Sequence, residues 1–554
     1  MRTSSQQRIN SMTSAGYWGS DTLHSLLALW ASKAPSSLAV IDQPNKAELT
    51  DIPARRLSYG DLDALSAQYA AELLALGIKP GDRLLVQLPN ISELIALYYA
   101  TSRIGAIISP VPVQYGALEL TKFAGVLNPA ALITLPRLRN QALAELARQA
   151  LPGLAIWEIG SDIGAADTIS DAGRERLQAH EASQADANDI VTVCWTSGTT
   201  GTPKGVPRSH NMWIAIARYT IAAGAYRQGE VLLAPFPMIN MAAIGGFLFP
   251  AALLGATLVL HHPIDPPLYL QQLQDEQVTF TIAPPALLNR LAQQSALWAD
   301  GDYSSLRAIG SGSVPLSPSM IATFENDYGK KIINFYGSNE GISLFSTPEI
   351  APSPEYRAAL FPRLGVEGMP WENDAHASIH TRVIDTATGA TITEPGIAGE
   401  LCISSPAIFD GYLDHDGDGV FTQDGFFRTG DLVEICGEPA CYYRIVGRCK
   451  DIINRGGMKI SPAELDTVLE GHPQLLEAAV CAYPDDMLGE KVCACIVPSD
   501  DAPEPSLEDL CRWMLDKGIA KFKLPERLEV FDALPRNPVG KVVRSQLQAL
   551  VEGR

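Results

Sequence analysis

Trp195-Thr196-Ser197-Gly198-Thr199-Thr200-Gly201-Thr202-Pro203-Lys204-Gly205-Val206 is the stretch whose reading decides the fold. It follows the apolar, β-branched run Ile190 to Cys194, which reads as a buried strand. Small hydroxyl residues and glycines after a strand expose backbone N–H groups and short donors that can wrap a phosphate, and Lys204 adds a positive charge. By its chemistry this is a phosphate loop. It is not a Walker A loop, because the glycine after Gly198 comes three residues on and Pro203 precedes the lysine. Nor is there a G-x-G-x-x-G turn, since Gly310-Ser311-Gly312 lacks the third glycine. P-loop nucleotidases and dinucleotide oxidoreductases are set aside on those grounds.

Around this loop the composition is that of a globular protein. The 554 residues carry 42 Lys and Arg against 62 Asp and Glu, a formal charge of −20, and 46% are apolar. That is too apolar for a disordered chain and too acidic for a sequence-independent nucleic-acid binder, so no nucleic-acid partner is expected. Nine cysteines without a C-x-x-C pair, and no signal peptide ahead of them, suit a reducing, cytoplasmic location. Cys493 and Cys495 alternate within a strand-like run and face one side of a sheet. They read as buried structural thiols, because no His or acidic partner stands at ligand spacing. Residues 231–264 hold no Asp, Glu, Lys or Arg, a run longer than the roughly 20 residues that cross a bilayer. Pro235, Pro237, Asn240, Gly245, Gly246, Pro250 and Gly255 interrupt it, so it reads as strand, turn and buried helix, with a further strand at Ala256 to Leu260. No membrane span is expected.

Helical and extended patterns alternate through the first half. Leu62, Leu65, Tyr69, Leu73 and Leu76 make one amphipathic stripe closed by Gly77, and Arg83 to Leu88 then reads as a strand. A helix around Glu93 to Arg103 and a strand from Ile107 follow. Such alternation predicts an α/β fold with largely buried sheets. Near residue 450 the pattern changes to a small α+β unit. Its first helix is expected to start at Ser461, with Pro462 at the first helical position and Glu464 completing a capping box; its second starts at Ser506 with Asp509, and Leu510, Trp513 and Met514 form its apolar stripe. The expected organisation is a large N-terminal domain of layered α/β subdomains over residues 1–449 and a small α+β C-terminal cap over residues 450–554.

Five further motifs follow the loop in order. They are Asn334-Phe335-Tyr336-Gly337-Ser338-Asn339-Glu340-Gly341, Gly425 to Leu432 with Arg428-Thr429-Gly430-Asp431, Gly447-Arg448-Cys449-Lys450-Asp451, Asn454-Arg455-Gly456-Gly457-Met458-Lys459-Ile460, and Pro535-Arg536-Asn537-Pro538-Val539-Gly540-Lys541. Together with the loop they resemble the signature of the adenylate-forming superfamily: acyl- and aryl-CoA ligases, nonribosomal adenylation domains and luciferases. The resemblance runs over roughly residues 20 to 550.

That resemblance implies ATP-dependent activation of a carboxylic acid to an acyl-AMP, with Mg2+, followed by acyl transfer. It assigns ATP contacts to Thr196, Ser197, Gly198, Thr199, Thr200, Gly201, Gly312, Ser313, Asn334, Tyr336, Gly337, Ser338, Asp431 and Arg448. Lys204, Glu340 and Lys541 become the catalytic set, with Glu340 holding the metal, as a carboxylate at a strand end can. Tyr336 offers a face to adenine. Asp431 can accept both ribose hydroxyls, with Arg448 behind the same ribose. Lys450 takes the hinge position, and Gly456 and Gly457 the acceptor channel. No Cys–His pair is required, because the nucleophile arrives with the second substrate.

The acid pocket is expected at Asn240, Met241, Gly245, Gly310, Gly337 and Ile342. Many relatives carry His or an aromatic where this chain has Asn240. Siderophore dihydroxybenzoate ligases carry His-Asn there, against Asn240-Met241 here, although Val206-Pro207-Arg208-Ser209-His210-Asn211 resembles that subgroup. Gly245, Gly246, Gly310 and Gly312 read either as room for a bulky, mostly apolar acid or as close helix–sheet packing. Arg357 and Arg363 are placed for acceptor phosphates or for the surface. The expected acceptor is CoA; the alternative is a phosphopantetheinyl carrier protein or an amine. Oligomeric state is left open.

Overall fold

The charge-free run folds as strand Val231–Ala234, helix Met241–Ala243, a π-helical turn Ile244–Leu248, helix Phe249–Leu254 and strand Thr257–Leu260 in the computed structural model. The structure describes residues 1–165, 168–181, 186–196, 203–299, 301–312, 316–371, 377–413, 419–456, 458–485, 487–499, 503–537 and 540–553. Among them no helix is long and apolar enough to cross a membrane. Both strands of the run lie inside an eight-stranded sheet. Its order is Ser343–Ser346, Lys331–Gly337, Ala308–Gly312, Phe280–Ile282, Val231–Ala234, Thr257–Leu260, Leu38–Ile41 and Arg56–Ser58, parallel except for the two edge strands. A six-stranded sheet runs Ala155–Glu158, Ala131–Thr134, Arg83–Gln87, Ile107–Pro110, Ile190–Thr196 and Lys204–Ser209, with only the last strand antiparallel. Most apolar side chains of the inner strands are buried, as parallel sheets flanked by helices require, while the edge strands Ala155–Glu158 and Arg56–Ser58 are partly open.

The predicted amphipathic helix spans Tyr59–Ala75, and Ser58 and Asp61 form a capping box at its start. Leu62, Tyr69 and Leu73 are buried, whereas Leu76 sits at the C-cap and is 40% exposed. A buried charge cluster ties this region together. Lys46 Nζ donates to Asp42 at 2.7 Å and to Ser92 Oγ at 3.2 Å and pairs with Glu93 at 2.7 Å, with none of the three charged side chains more than 1% exposed.

The chain divides into two compact units, Met1–His380 with Ile403–Phe427, and Thr381–Cys402 with Arg428–Arg554. The second therefore takes in strands that precede residue 450. Its C-terminal sheet places Met458–Ile460, Ile453–Arg455, Gly489–Pro498 and Leu475–Asp485 side by side, and Arg527–Val530 pairs in parallel with Gly489–Pro498. Alternation along the strands builds two cores. Val480, Val492, Ala494 and Ile496 pack with Leu465, Leu469, Leu510 and Met514 on one face. Cys481, Cys493, Cys495 and Val497 pack with Phe531, Leu547 and Val551 on the other.

One of the two predicted capping boxes forms here. Ser506 and Asp509 exchange backbone and side-chain hydrogen bonds at the start of Leu507–Asp516, and Leu510 and Met514 are buried below. At Pro462–Glu470 the box does not form. Ser461 Oγ donates to the Val446 carbonyl instead, and both Glu464 oxygens take Lys523 at 2.7 Å.

Candidate active site

Strand Ile190–Thr196 turns back as Lys204–Ser209, with Thr196 opposite Lys204. The phosphate loop is thus the connection of an antiparallel hairpin at a sheet edge, not a strand-to-helix turn. Ser197, Gly198, Thr199, Thr200 and Gly201 lie outside the described residues, as do Ser313 and Gly457. At the mouth of the hairpin Lys204 Nζ lies 4.7 Å from the centroid of the Tyr412 ring. The Tyr412 hydroxyl donates to Glu340 Oε1 at 2.9 Å. Ammonium, ring and carboxylate form a short chain. Glu340 stands in the turn between Lys331–Gly337 and its antiparallel neighbour Ser343–Ser346, is 7% exposed, and accepts the Phe409 N–H at its carbonyl.

Mg2+ retains several waters and takes one or two carboxylates plus substrate phosphates. Among the described residues the site offers one carboxylate, joined to Lys204 through Tyr412, which fixes Glu340 Oε1. That donor set fits the ion.

Three residues that sequence reasoning passed over hold this arrangement. Arg208 is fully buried and donates to the carbonyls of Asn339 and Ala407, each at 2.7 Å, and of Met212 at 3.3 Å. Burial pulls its pKa down to about 10, so it stays charged at neutral pH. Asn339 Nδ2 donates to the Trp195 carbonyl at 2.8 Å, and its Oδ1 accepts the Met241 N–H at 2.8 Å. One side chain thereby joins the strand leading into the phosphate loop to the helix of the proposed acid pocket, next to Glu340. Tyr412 is the third. A charge inside the buried strand Lys204–Ser209 is a signal that could have revealed Arg208, and Asn339 stands inside a quoted motif; nothing local marks Tyr412.

Of the pocket residues, Gly337, Met241 and Ile342 converge: a Cβ on Gly337 would stand 2.2 Å from Met241 Cε and 2.7 Å from the Ile342 carbonyl. Asn240 is committed elsewhere, capping the short helix by accepting the Ala243 N–H at 3.3 Å. Of the two readings of the glycines, room is corrected at three positions. A Cβ would meet Ile216 at 2.4 Å from Gly245, the Phe335 ring at 2.3 Å from Gly310, and the Phe335 carbonyl at 2.2 Å from Gly312. The space their missing side chains leave is already filled by the protein. Only at Gly246 among these four does a Cβ meet nothing within 4 Å.

Asn334 is buried and spends both amide hydrogens on the carbonyls of Arg357 and Ala358 at 3.0 Å, tying its strand to helix Pro354–Ala359. Tyr336 packs against Phe361 with ring centroids 5.5 Å apart. Ser338 Oγ is buried without a hydrogen-bond partner among the described residues. Arg357 is fully buried and pairs with Glu325, and Arg363 is buried too, so neither is a surface cation.

Within the second unit Asp431 lies opposite Arg448 on neighbouring strands, and Arg448 Nε reaches Asp431 Oδ1 at 2.7 Å. Asp431 is buried while Arg448 is 59% exposed, so screening leaves this pair little stabilising value. Glu400 fixes the segment before Asp431 by accepting from Arg428 Nε at 2.9 Å and Gly430 N–H at 3.1 Å. Lys541 follows a tight turn in which its N–H donates to Asn537 Oδ1 at 2.9 Å and Gly540 adopts a φ of 83°. The residue is exposed, yet packing around its ammonium, and next the Arg448 charge, pull its pKa below the usual lysine value; Asp431 opposes them. Lys450 lies between Cys449, bonded to the Gly430 carbonyl at 2.8 Å, and Asp451, bonded to that of Arg448 at 3.2 Å. Gly456 makes the turn between Ile453–Arg455 and Met458–Ile460 with a φ of 57°, donating to the Leu488 carbonyl at 2.8 Å.

Residues 30–413 match the AMP-binding enzyme family, and residues 464–541 match the AMP-binding enzyme C-terminal domain. The chain is 30% identical over 547 residues to a salicyl-AMP ligase / salicyl-S-ArCP synthetase of Mycobacterium tuberculosis, covering 97% of this chain and 92% of that one. It is 28% identical over 493 residues to a feruloyl-CoA synthase of an Amycolatopsis species, covering 89% and 93%. Among solved structures it resembles the ATP-bound RpMatB-BxBclM chimera B3, with a TM-score of 0.77 and 25% identity over 96% of this chain and 99% of the other. With a family match over well more than half its length, the chain belongs to the AMP-binding family of adenylate-forming enzymes.

Proposed function

We propose that this enzyme activates a small, mostly apolar carboxylic acid (aryl, alicyclic or medium-chain) with ATP, releases pyrophosphate, and transfers the acyl group to CoA. The observation that carries the reading is the Lys204–Tyr412–Glu340 chain at the mouth of the threonine- and glycine-rich hairpin. A carboxylic acid with a pKa of about 4 is already ionised at neutral pH, so its attack on the α-phosphorus needs no general base. It needs relief of anion–anion repulsion and in-line placement. Lys204 and the Lys541 ammonium supply positive charge to phosphate and acid oxygens. Glu340 would hold Mg2+, whose chemistry there is to neutralise phosphate charge. Asp431, with Arg448, orients the ribose, and Tyr336 gives a face to adenine. The carboxylate oxygen bonds to the α-phosphorus as pyrophosphate leaves. The acceptor sulfur then bonds to the acyl carbon, AMP leaves, and the thiol proton passes to solvent. Lys450 as hinge, with Gly456 and Gly457 along the acceptor path, belongs to the same proposal.

The acid class is supported by the apolar Met241 side chain, whose Cε stands against Gly337. A second acceptor, carrier-protein phosphopantetheine, is favoured by the relative whose name includes salicyl-S-ArCP synthetase, and an amine is the remaining alternative. ATP–pyrophosphate exchange across a panel of acids, followed by CoA, carrier protein and amines offered with the best acid, tests the proposal. Acid-dependent exchange with thioester formation on free CoA is expected. No acid-dependent exchange would overturn adenylation of this acid class; exchange that yields product only on a carrier protein or amine would overturn CoA as acceptor.

A further inference from the structure

Three thiols from two strands meet in the second core of the C-terminal sheet. Cys481 stands opposite Cys493, and Cys495, two residues further along the same face, stands opposite Ala479. The small Ala479 side chain leaves its side of the ladder to the third sulfur. Cys495 Sγ lies 3.8 Å from Cys481 Sγ and 3.9 Å from Cys493 Sγ, and all three sulfurs fall within 4.8 Å of one another. All three residues are fully buried and none is in a disulfide. A triangle with those sides has its centre about 2.3–2.5 Å from each sulfur, close to the roughly 2.3 Å of a metal–thiolate bond.

The surroundings select the ion. Val497, Phe531, Leu534, Leu547 and Val551 enclose the sulfurs, and no His or carboxylate joins the group among the described residues. Tetrahedral zinc would lack its fourth ligand here. A soft ion content with three thiolates does not. We propose that Cys481, Cys493 and Cys495 form a trigonal thiolate site for a soft monovalent ion of the Cu(I) class. Binding exchanges thiol protons for the ion, with no change of oxidation state at metal or sulfur, and the protons go to solvent. Two cations temper the resulting negative charge: Arg527 and Arg544 both act electrostatically on Cys481, and Arg544 donates to the neighbouring Val480 carbonyl. Val542, next to Lys541, packs against the same core, so occupancy would stiffen the base of the turn that carries Lys541.

The test is anaerobic titration of the reduced full-length enzyme with Cu(I) held by a chromogenic chelator, followed by copper-edge X-ray absorption at one equivalent. The wild type should show three sulfur neighbours at about 2.3 Å. The triple variant Cys481→Ala/Cys493→Ala/Cys495→Ala should bind one equivalent fewer with an unchanged circular dichroism spectrum, and Cys436→Ala/Cys449→Ala/Cys511→Ala should retain that equivalent. Equal uptake by wild type and the folded triple variant would overturn the site. So would a two-sulfur linear or nitrogen–oxygen shell in the wild type, a measurement that decides the matter even if the triple variant does not fold.

Discussion

Replacing Asn339 by Ala removes a side chain that bonds both to the strand entering the phosphate loop and to the start of the pocket helix. Two hydrogen bonds are lost, to the Trp195 carbonyl and from the Met241 N–H, both at 2.8 Å. A neutral hydrogen bond of this kind contributes about 1 kcal/mol net, so the pair amounts to about 2 kcal/mol. If that energy holds the loop and the pocket in register, kcat/KM falls about 30-fold. The orientation of the amide is not arbitrary: the carbonyl of Trp195 requires the NH2 group and the N–H of Met241 requires the oxygen. Asn339→Asp separates the two ties, keeping the acceptor for Met241 and losing the donor to Trp195. Exchange kinetics with ATP varied at saturating acid, and the converse, provide the assay. Asn339→Ala should impair kcat/KM for both substrates together, and Asn339→Asp should impair ATP use more than acid use. A threefold or smaller effect of Asn339→Ala, or a loss confined to one substrate, would refute the reasoning.

Other outcomes follow from the same geometry. In its proposed role Lys541 acts as a cation and its pKa is depressed, so adenylation should fail on the alkaline side at a pH below the ordinary lysine value, and Lys541→Arg should move that limb upward in a pH–rate profile. Folding lowers this pKa, so the unfolded chain holds the proton more tightly and stability rises with pH between the folded and unfolded values. Lys541→Ala should therefore suppress adenylation without lowering Tm at neutral pH, and a clear fall in Tm would contradict this. Lys46→Met strands the Asp42 and Glu93 carboxylates in the core and should cost about 3–5 kcal/mol in urea unfolding. Gly310→Ala drives a methyl into the Phe335 ring and should destabilise by about 1–3 kcal/mol, while Gly246→Ala should be neutral within about 0.5 kcal/mol in the same measurement.

The sequence carried the chemistry further than the geometry. The hydroxyl- and glycine-rich loop, the strand before it and the acidic turn at Glu340 were all legible, because composition and local periodicity encode them. The hairpin nature of the loop was not, since nothing in the run from Thr196 to Lys204 states whether a strand or a helix comes next. Ser506 with Asp509 read correctly as a capping box, but the same pattern at Ser461 and Glu464 did not, because a carbonyl at Val446 and a cation at Lys523 outbid the local partners. Tyr412 reaches Glu340 from a distant stretch, and Cys481 joins Cys493 and Cys495 only through cross-strand register. The glycine spacing of Gly245, Gly310 and Gly312 was visible while the side chains and the Phe335 carbonyl that fill their space were not.

Phe335 packs its ring over Gly310 and sets its carbonyl over Gly312, so one aromatic residue occupies the volume that two glycines leave open. The ring over Gly310 is thus a removable plug, whereas the carbonyl over Gly312 is fixed by the main chain. Truncating this single side chain would release the volume over Gly310 alone, because the carbonyl over Gly312 belongs to the main chain. If Gly310 lines the acid pocket as proposed, exchanging the ring for a smaller residue would widen that pocket in one mutational step while the nucleotide machinery stays in place.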